Sequence, residues 1–222
     1  MSDFINIAID GPVASGKGTV TKALSARLGI PALDTGAMYR AVTVDLLDRN
    51  VDINDEKAVL FALNKTDLQV FMSDNSIMRV FVRNHDVSAR LRDNAISLAT
   101  PTVAAYPGVR DFVNRKIAAV ASQGNFILEG RDIGTVVLPN AKYKFFLTAD
   151  LVERAKRRKL DLAKKGEDVP LLEVMAQVKQ RDEADANRAV APLKQAADAI
   201  VIDNTGLTLE QTIDSMVKYI KL

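Results

Sequence analysis

Gly11-Pro12-Val13-Ala14-Ser15-Gly16-Lys17 has the G-x-x-x-x-G-K spacing of a loop that wraps a polyphosphate. Glycines allow a tight turn in which successive backbone N–H groups converge on one anion. A helix starting near Lys17 adds the positive end of its dipole, and the lysine brings a full, mobile charge to the outer phosphates. The candidate phosphate-contacting set is therefore Gly11, Pro12, Val13, Ala14, Ser15, Gly16, Lys17, Gly18 and Thr19. One position departs from the common pattern. Gly18 stands where a Ser or Thr usually follows the lysine to hold Mg²⁺, and Thr19 comes one place later. No direct protein ligand for Mg²⁺ is assigned on this reading. The ion is expected to be held through the phosphates of the bound nucleotide and water, with Thr19 as the candidate hydroxyl.

Three later clusters carry charge suited to the same chemistry. Glu129-Gly130-Arg131-Asp132 follows an apolar run, so these side chains should emerge at the carboxyl edge of a strand, where open α/β sheets bind ligands. Glu153-Arg154-Ala155-Lys156-Arg157-Arg158 opens a helix, and Arg181-Asp182-Glu183-Ala184-Asp185-Ala186-Asn187-Arg188 lies on or after another. Any one cluster alone reads as a solvated helix face. Three of them behind a phosphate loop read as a multi-arginine clamp, which suits phosphoryl transfer, a reaction that needs positioning and charge neutralisation more than covalent help. When the acceptor is itself a phosphate, its oxygen is already an anionic nucleophile and no general base is required. No nucleophile–base pair stands out. The single histidine, His85, sits beside Asp86 and reads as a surface or locally hydrogen-bonded group.

The elements that must position these groups follow from periodicity. Residues 4–10 form a β-branched apolar run ending at Gly11, which predicts a buried strand, and 19–28 have helical spacing with Gly29 at the C-cap position. Short strands are predicted at 30–33, 125–129, 143–149 and 199–203, separated by helical segments, and Asp150/Glu153 and Thr208/Gln211 have capping-box spacing. Strands alternating with helices imply crossover connections and a mostly parallel sheet covered on both faces. One stretch breaks the alternation. Leu68, Val70 and Met72, a turn at Asp74-Asn75-Ser76, then Met78, Val80 and Val82 predict an antiparallel hairpin set into the α/β frame, beside a nucleotide site where it could grip a second substrate. Two further patterns are coincidental. Asn64-Lys65-Thr66-Asp67 and Asp203-Asn204-Thr205-Gly206 match guanine-reading and D-x-x-G motifs of GTPases, but in reversed chain order.

Composition excludes several classes. Thirty Lys plus Arg against 28 Asp plus Glu leave a net charge of +2, too balanced for a dedicated nucleic-acid binder. Without cysteine there are no disulfides, thiol chemistry or Cys-based zinc sites. Met1-Ser2-Asp3-Phe4 lacks the charged start and apolar stretch of a secretory signal, and the uncharged stretch 94–109 is interrupted by Pro101 and Pro107, so no membrane partner is expected and the expected location is cytoplasmic. The 222 residues suffice for one well-buried domain, and the expectation is a single domain over 1–222.

The Gly16-Lys17-Gly18-Thr19 ending resembles nucleoside monophosphate kinases more than GTPase switches, and longer blocks narrow the likeness. Over essentially its full length the chain resembles the bacterial cytidylate kinase family. The match rests on Ile9-Asp10-Gly11-Pro12, Asp34-Thr35-Gly36-Ala37-Met38-Tyr39-Arg40, Asp86-Val87-Ser88 and Pro107-Gly108-Val109-Arg110. It continues in Gly130-Arg131-Asp132-Ile133-Gly134-Thr135-Val136-Val137, and in Arg181-Asp182, Asp185 and Asn187-Arg188-Ala189-Val190-Ala191-Pro192-Leu193. The resemblance implies a three-layer P-loop kinase fold of α/β class, with a parallel core sheet, a small antiparallel insert and a short helical lid. It places a CMP-binding region at 35–112 and the lid at 154–167, where Lys164-Lys165-Gly166 supply charge and a flexible point. It implies transfer from ATP, with Mg²⁺, to CMP or dCMP in pyrimidine nucleotide metabolism, and a monomer.

By the same resemblance Arg110 and Asp132 would read the cytosine ring, and Arg181 and Asp185 would contact the sugar. Thr35, Arg40 and Arg131 would hold the CMP phosphate, while Lys17, Arg131, Arg157, Arg158 and Arg188 would act on the transferring phosphoryl group. A carboxylate can accept from the exocyclic amine of cytosine, whereas uracil presents a carbonyl there. One position departs: Pro101, between Thr100 and Thr102, stands where the family commonly has a serine thought to help contact the base, so selectivity could be altered. Thr35, where serine also occurs, keeps the hydroxyl. Two alternatives stay open: a P-loop kinase for another acceptor such as UMP, AMP or a small hydroxy acid, and a nucleotide-dependent switch with slow, acceptor-independent hydrolysis.

Overall fold

The computed structural model describes residues 4–72, 78–164 and 166–221. In chain order its elements are β1 (Asn6–Asp10), α1 (Lys17–Leu28), β2 (Ala32–Asp34), α2 (Thr35–Asp48), α3 (Glu56–Leu63), β3 (Leu68–Met72), β4 (Met78–Val82) and β5 (His85–Asp86). Then come α4 (Asn94–Ala105), α5 (Pro107–Ala121), β6 (Phe126–Gly130), a π-helical turn (Ile133–Val137), β7 (Tyr143–Thr148), α6 (Leu151–Ala163), α7 (Leu171–Asn187), β8 (Ile200–Asp203) and α8 (Leu209–Val217). The chain gathers into two compact units, one of residues 5–30 and 126–222 and one holding residues 31–125. No described helix is long and apolar enough to cross a membrane.

In the first of these, β6, β1, β7 and β8 lie side by side in that order, all parallel. Ile7 is level with Ile127 and Tyr143, and Phe145 with Ile200. Parallel strands covered by helices need apolar residues on both faces, and Ile7, Ile9, Ile127, Phe145 and Leu147 are buried together with Val20 and Leu24 of α1 and Ile213 and Met216 of α8. A Phe as well packed as Phe145 contributes about 3–5 kcal/mol relative to Ala. Helix α1 stops where the sequence predicts: Gly29 takes φ 67°, the left-handed cap that a Cβ disfavours. The Thr208/Gln211 capping box forms in full at α8, and Asp150 accepts from the Glu153 N–H at α6. Helices α6 and α7 pack through Ala155, Leu162, Val174 and Val178. The neighbours of β1 in the sheet are β6 on one flank and β7 on the other, so its carboxyl end is a topological switch point, the place where open α/β sheets bind ligands.

The second unit holds α2 to α5 and an antiparallel sheet in the order β3-β4-β5. The expected hairpin is there, with Leu68 opposite Val82 and Val70 opposite Val80, and Leu68, Val80 and Val82 buried on one face. The turn at Asp74-Asn75-Ser76 lies outside the described residues. On the other face Phe71 and Phe81 meet edge to face, 5.2 Å between centroids. The two-residue strand β5, too short for a periodic signal, adds to β4. The α/β class with a parallel sheet and a small antiparallel one is the architecture expected.

Candidate active site

Strand β1 delivers Asp10 and Gly11 into the loop that Lys17 closes. Gly11 is required by close approach: a Cβ there would sit 2.0 Å from the carbonyl oxygen of Leu147 on β7. Gly16 turns the chain into α1 at φ 91°, and no side chain caps the helix, so its first N–H groups stay available to an anion. The Lys17 ammonium is buried and donates to the carbonyls of Gly11 (2.8 Å) and Pro12 (2.7 Å) and to Ser15 Oγ (3.4 Å). Burial pushes this lysine down from its ordinary 10.5 to about 7. The Arg131 guanidinium acts in the same direction, and Glu129, Asp10 and Asp185 act against it.

The rest of the unit braces this loop. Asn204, after β8, donates to the Ser15 carbonyl (3.0 Å) and accepts from Arg157 Nη1 (3.0 Å), which also reaches the Ser15 carbonyl (3.3 Å). The Asp203-Asn204-Thr205-Gly206 stretch is therefore a support behind the phosphate loop, not a guanine-nucleotide motif. Asp182 on α7 accepts from the Val13 N–H (3.0 Å), and Arg154 on α6 donates to the Val13 carbonyl (3.1 Å) and to Asp182 (2.5 Å). Val13 thus has its N–H and its carbonyl taken by side chains.

Beyond β6, Asp10 accepts from the N–H groups of Ile133 (2.9 Å) and Gly134 (2.7 Å), fixing the start of the π-helical turn. Burial raises the Asp10 carboxyl, and Asp132 adds to the rise against the two N–H bonds. The turn positions the charged residues that precede it. Arg131 Nε donates to Asp185 (2.7 Å), Arg188 Nη2 to Asp132 (3.2 Å), and the exposed Arg181 lies 3.7 Å from the buried Asp185 as an i,i+4 ion pair. Lys17, Arg131, Asp132, Arg157, Asp185 and Arg188 are thus tied into one unit, with Arg158 half-buried on α6. Sequence reasoning missed the bracing roles of Asp10, Arg154, Asp182 and Asn204. Their signal existed only as position, a polar residue one step from a strand end or facing the loop from a helix.

Among the described residues no group of three or more His, Cys, Asp or Glu gathers to hold a metal ion. A Cβ on Gly18 would lie 3.1 Å from Glu129 Oε1, so the space of the usual Ser or Thr is filled by a carboxylate. Thr19 is exposed. This donor set fits an ion carried on the phosphates through water better than one ligated directly by protein.

In the other unit Thr35 starts α2 and is buried. Asp34 caps the helix by accepting from the Ala37 N–H (2.9 Å) and also pairs with Arg40 Nη2 (2.9 Å). Arg40 Nε is buried with no hydrogen-bond partner among the described residues. Arg110, buried on α5, lies over the Tyr39 ring at 5.5 Å, and Tyr39 is itself hydrogen-bonded to Asn114 (3.0 Å). Pro101 sits inside α4 on an exposed position, and the neighbouring Thr100 hydroxyl donates to the Ile96 carbonyl (2.6 Å). His85 is exposed on β5.

A parallel sheet with a phosphate loop at its switch point and arginines anchored beside it defines a P-loop phosphotransferase. The solved structure of shikimate kinase from Bacteroides thetaiotaomicron has the same fold, with a TM-score of 0.50 at 14% identity over 99% of this chain and 100% of that one. Residues 7–222 match the family model described as cytidylate kinase. The cytidylate kinase of Caldicellulosiruptor bescii is 43% identical over 214 residues, covering 96% of this chain and 94% of the relative. That of Carboxydothermus hydrogenoformans is 41% identical over 216 residues, covering 97% of each. The chain belongs to the cytidylate kinase family.

Proposed function

We propose that this chain transfers the γ-phosphoryl group of ATP to CMP or dCMP, giving ADP and CDP or dCDP. A phosphate oxygen of the acceptor forms the new bond to the γ-phosphorus as the bond to the ADP oxygen breaks, and no proton need be removed. The observation that carries this reading is the buried Lys17 ammonium at the phosphate loop, in the same unit as the anchored Arg131–Asp185 and Arg188–Asp132 pairs. These groups supply fixed positive charge where the transferring phosphoryl group spreads its negative charge. Lys17, Arg131, Arg157, Arg158 and Arg188 are assigned to that charge, and the loop from Gly11 to Thr19 to the ATP phosphates. Thr19 is the candidate loop hydroxyl towards Mg²⁺, which would otherwise be held through the ATP phosphates and water and would neutralise charge there.

On the acceptor side, Thr35, Arg40 and Arg131 are assigned to the CMP phosphate, Arg110 and Asp132 to the base, and Arg181 and Asp185 to the sugar. The buried Arg40 Nε, unsatisfied among the described residues, supports its place, because an acceptor oxygen would relieve the cost of leaving that donor dry. Residues 1–222 then act as one kinase domain, with 35–112 as the acceptor region and 154–167 as a lid. The working form is a cytoplasmic monomer that binds small nucleotides, with neither nucleic acid nor membrane as a partner. The deciding test is ADP formation from ATP and Mg²⁺ with CMP, dCMP, UMP or AMP against a blank. Turnover with CMP and dCMP alone is expected. Equal turnover with UMP would trace to Pro101, and no stimulation by any acceptor would leave a nucleotide switch.

A further inference from the structure

We infer that Arg154 and Asp182 form a positioning pair that holds the phosphate loop in register with helices α6 and α7 through the single residue Val13. Three independent contacts meet there. The Val13 N–H donates to Asp182 Oδ1 (3.0 Å), its carbonyl accepts from Arg154 Nη1 (3.1 Å), and its side chain packs on the apolar seam of α6 and α7 that includes Ala155 and Val174. The pair is itself closed: Arg154 Nη1 donates to Asp182 Oδ2 (2.5 Å) and Arg154 Nε to the Ala149 carbonyl (2.9 Å). Both side chains are largely withdrawn from water, at 10% exposure for Arg154 and 21% for Asp182, so the bonds are not those of a screened surface pair.

The same two helices carry the charges that the proposed reaction needs. Arg157 and Arg158 are on α6, Arg181 and Asp185 on α7, and Arg188 caps the end of α7. The donor's phosphates belong to the loop, and these side chains belong to the helices. A shift of the helices against the loop would displace one set against the other, and a misplacement of about 1 Å costs on the order of 100-fold in rate without removing any binding group. Arg157 fastens the loop a second time, at Ser15, so loss of the Val13 attachment should loosen the register without releasing the loop. Neither Arg154 nor Asp182 needs to touch a nucleotide for this.

The inference rests on the kinase reading, and the wild-type chain separates the two: turnover of CMP by wild type upholds that reading whatever the variants do. Asp182→Ala, Arg154→Ala, the double variant and Asp182→Asn are compared by steady-state kinetics in ATP and CMP and by mant-ADP binding, each below its own thermal midpoint. A positioning role predicts that kcat falls about 100-fold in Asp182→Ala while KM for ATP and mant-ADP affinity change less than about threefold. The double variant should be no slower than the worse single one. Asp182→Asn keeps an acceptor for the Val13 N–H but loses the charge that anchors Arg154, and should fall in between. A kcat within about threefold of wild type in folded Asp182→Ala, losses that multiply in the double variant, or a raised KM for ATP at unchanged kcat would each overturn the inference. If Asp182→Ala does not fold, Asp182→Asn decides, and an unchanged kcat there overturns it as well.

Discussion

The phosphate-loop unit and the unit of residues 31–125 both carry cations proposed to meet phosphate or base, yet they are built differently. Around the loop, Lys17 donates to carbonyls of its own turn, and Arg131, Arg154, Arg157 and Arg188 each have an internal acceptor. Held so, the arginines keep a geometry that a ligand need only enter, which is what electrostatic preorganisation requires, while Lys17 has to exchange one of its loop acceptors for a phosphate oxygen. In the other unit Arg40 is anchored at one nitrogen by Asp34, its buried Nε has no acceptor among the described residues, and Arg110 rests on an aromatic face. On the proposed reading, an acceptor oxygen of the ligand would satisfy the Arg40 Nε. The contrast teaches where rate and where choice of acceptor should reside: removing Lys17 should cost kcat, removing Arg40 or Arg110 should cost acceptor affinity, and removing Arg131, assigned to both phosphates, should cost both.

The largest effect should come from Lys17→Ala, with kcat reduced about 1,000-fold or more, measured as ADP release with both substrates saturating. Arg40→Ala sharpens the comparison from the other side. Its KM for CMP should rise about 10- to 100-fold while KM for ATP moves less than about twofold. A matched rise in both would erase the distinction between the units.

A smaller, pH-dependent effect follows from Lys17. Its ammonium is held down to about 7 in the folded chain against 10.5 when exposed, so between those values the unfolded chain binds the extra proton. This group therefore costs stability at low pH, and that cost is relieved as pH rises from 7 towards 10.5. Phosphate oxygens favour the charged form, so nucleotide binding in the same window should take up protons. Calorimetry in two buffers of different ionisation enthalpy should show that uptake in wild type and not in Lys17→Ala. The smallest effect is a control. Thr208→Ala, which breaks the capping box of α8, should lower stability in a denaturant melt by about 1 kcal/mol and leave kcat and both KM values unchanged.

The sheet was legible because buried parallel strands are short apolar runs between helical stretches: 199–203 against Ile200–Asp203 differs by one residue at its start, and 125–129 against Phe126–Gly130 is shifted by one residue. The loop was legible because close approach at Gly11 and the left-handed turn at Gly16 leave little choice of residue. Pro101 was read as an interruption, yet α4 runs through it to Ala105, since a proline on an exposed face forfeits one hydrogen bond while α2 and α5 pack against the same helix. The braces were illegible for another reason. Nothing local to Asp182 or Asn204 distinguishes a carboxylate or amide that meets Val13 or Ser15, at separations of 169 and 189 residues, from one that meets water.

The most direct test of the central claim is ³¹P nuclear magnetic resonance of wild-type enzyme with ATP, Mg²⁺ and CMP. Phosphoryl transfer to a phosphate predicts that ADP and CDP signals grow together in equal amounts, with no orthophosphate beyond the blank. ATP loss accounted for by orthophosphate alone, with no CDP signal and the same rate with and without CMP, would contradict it.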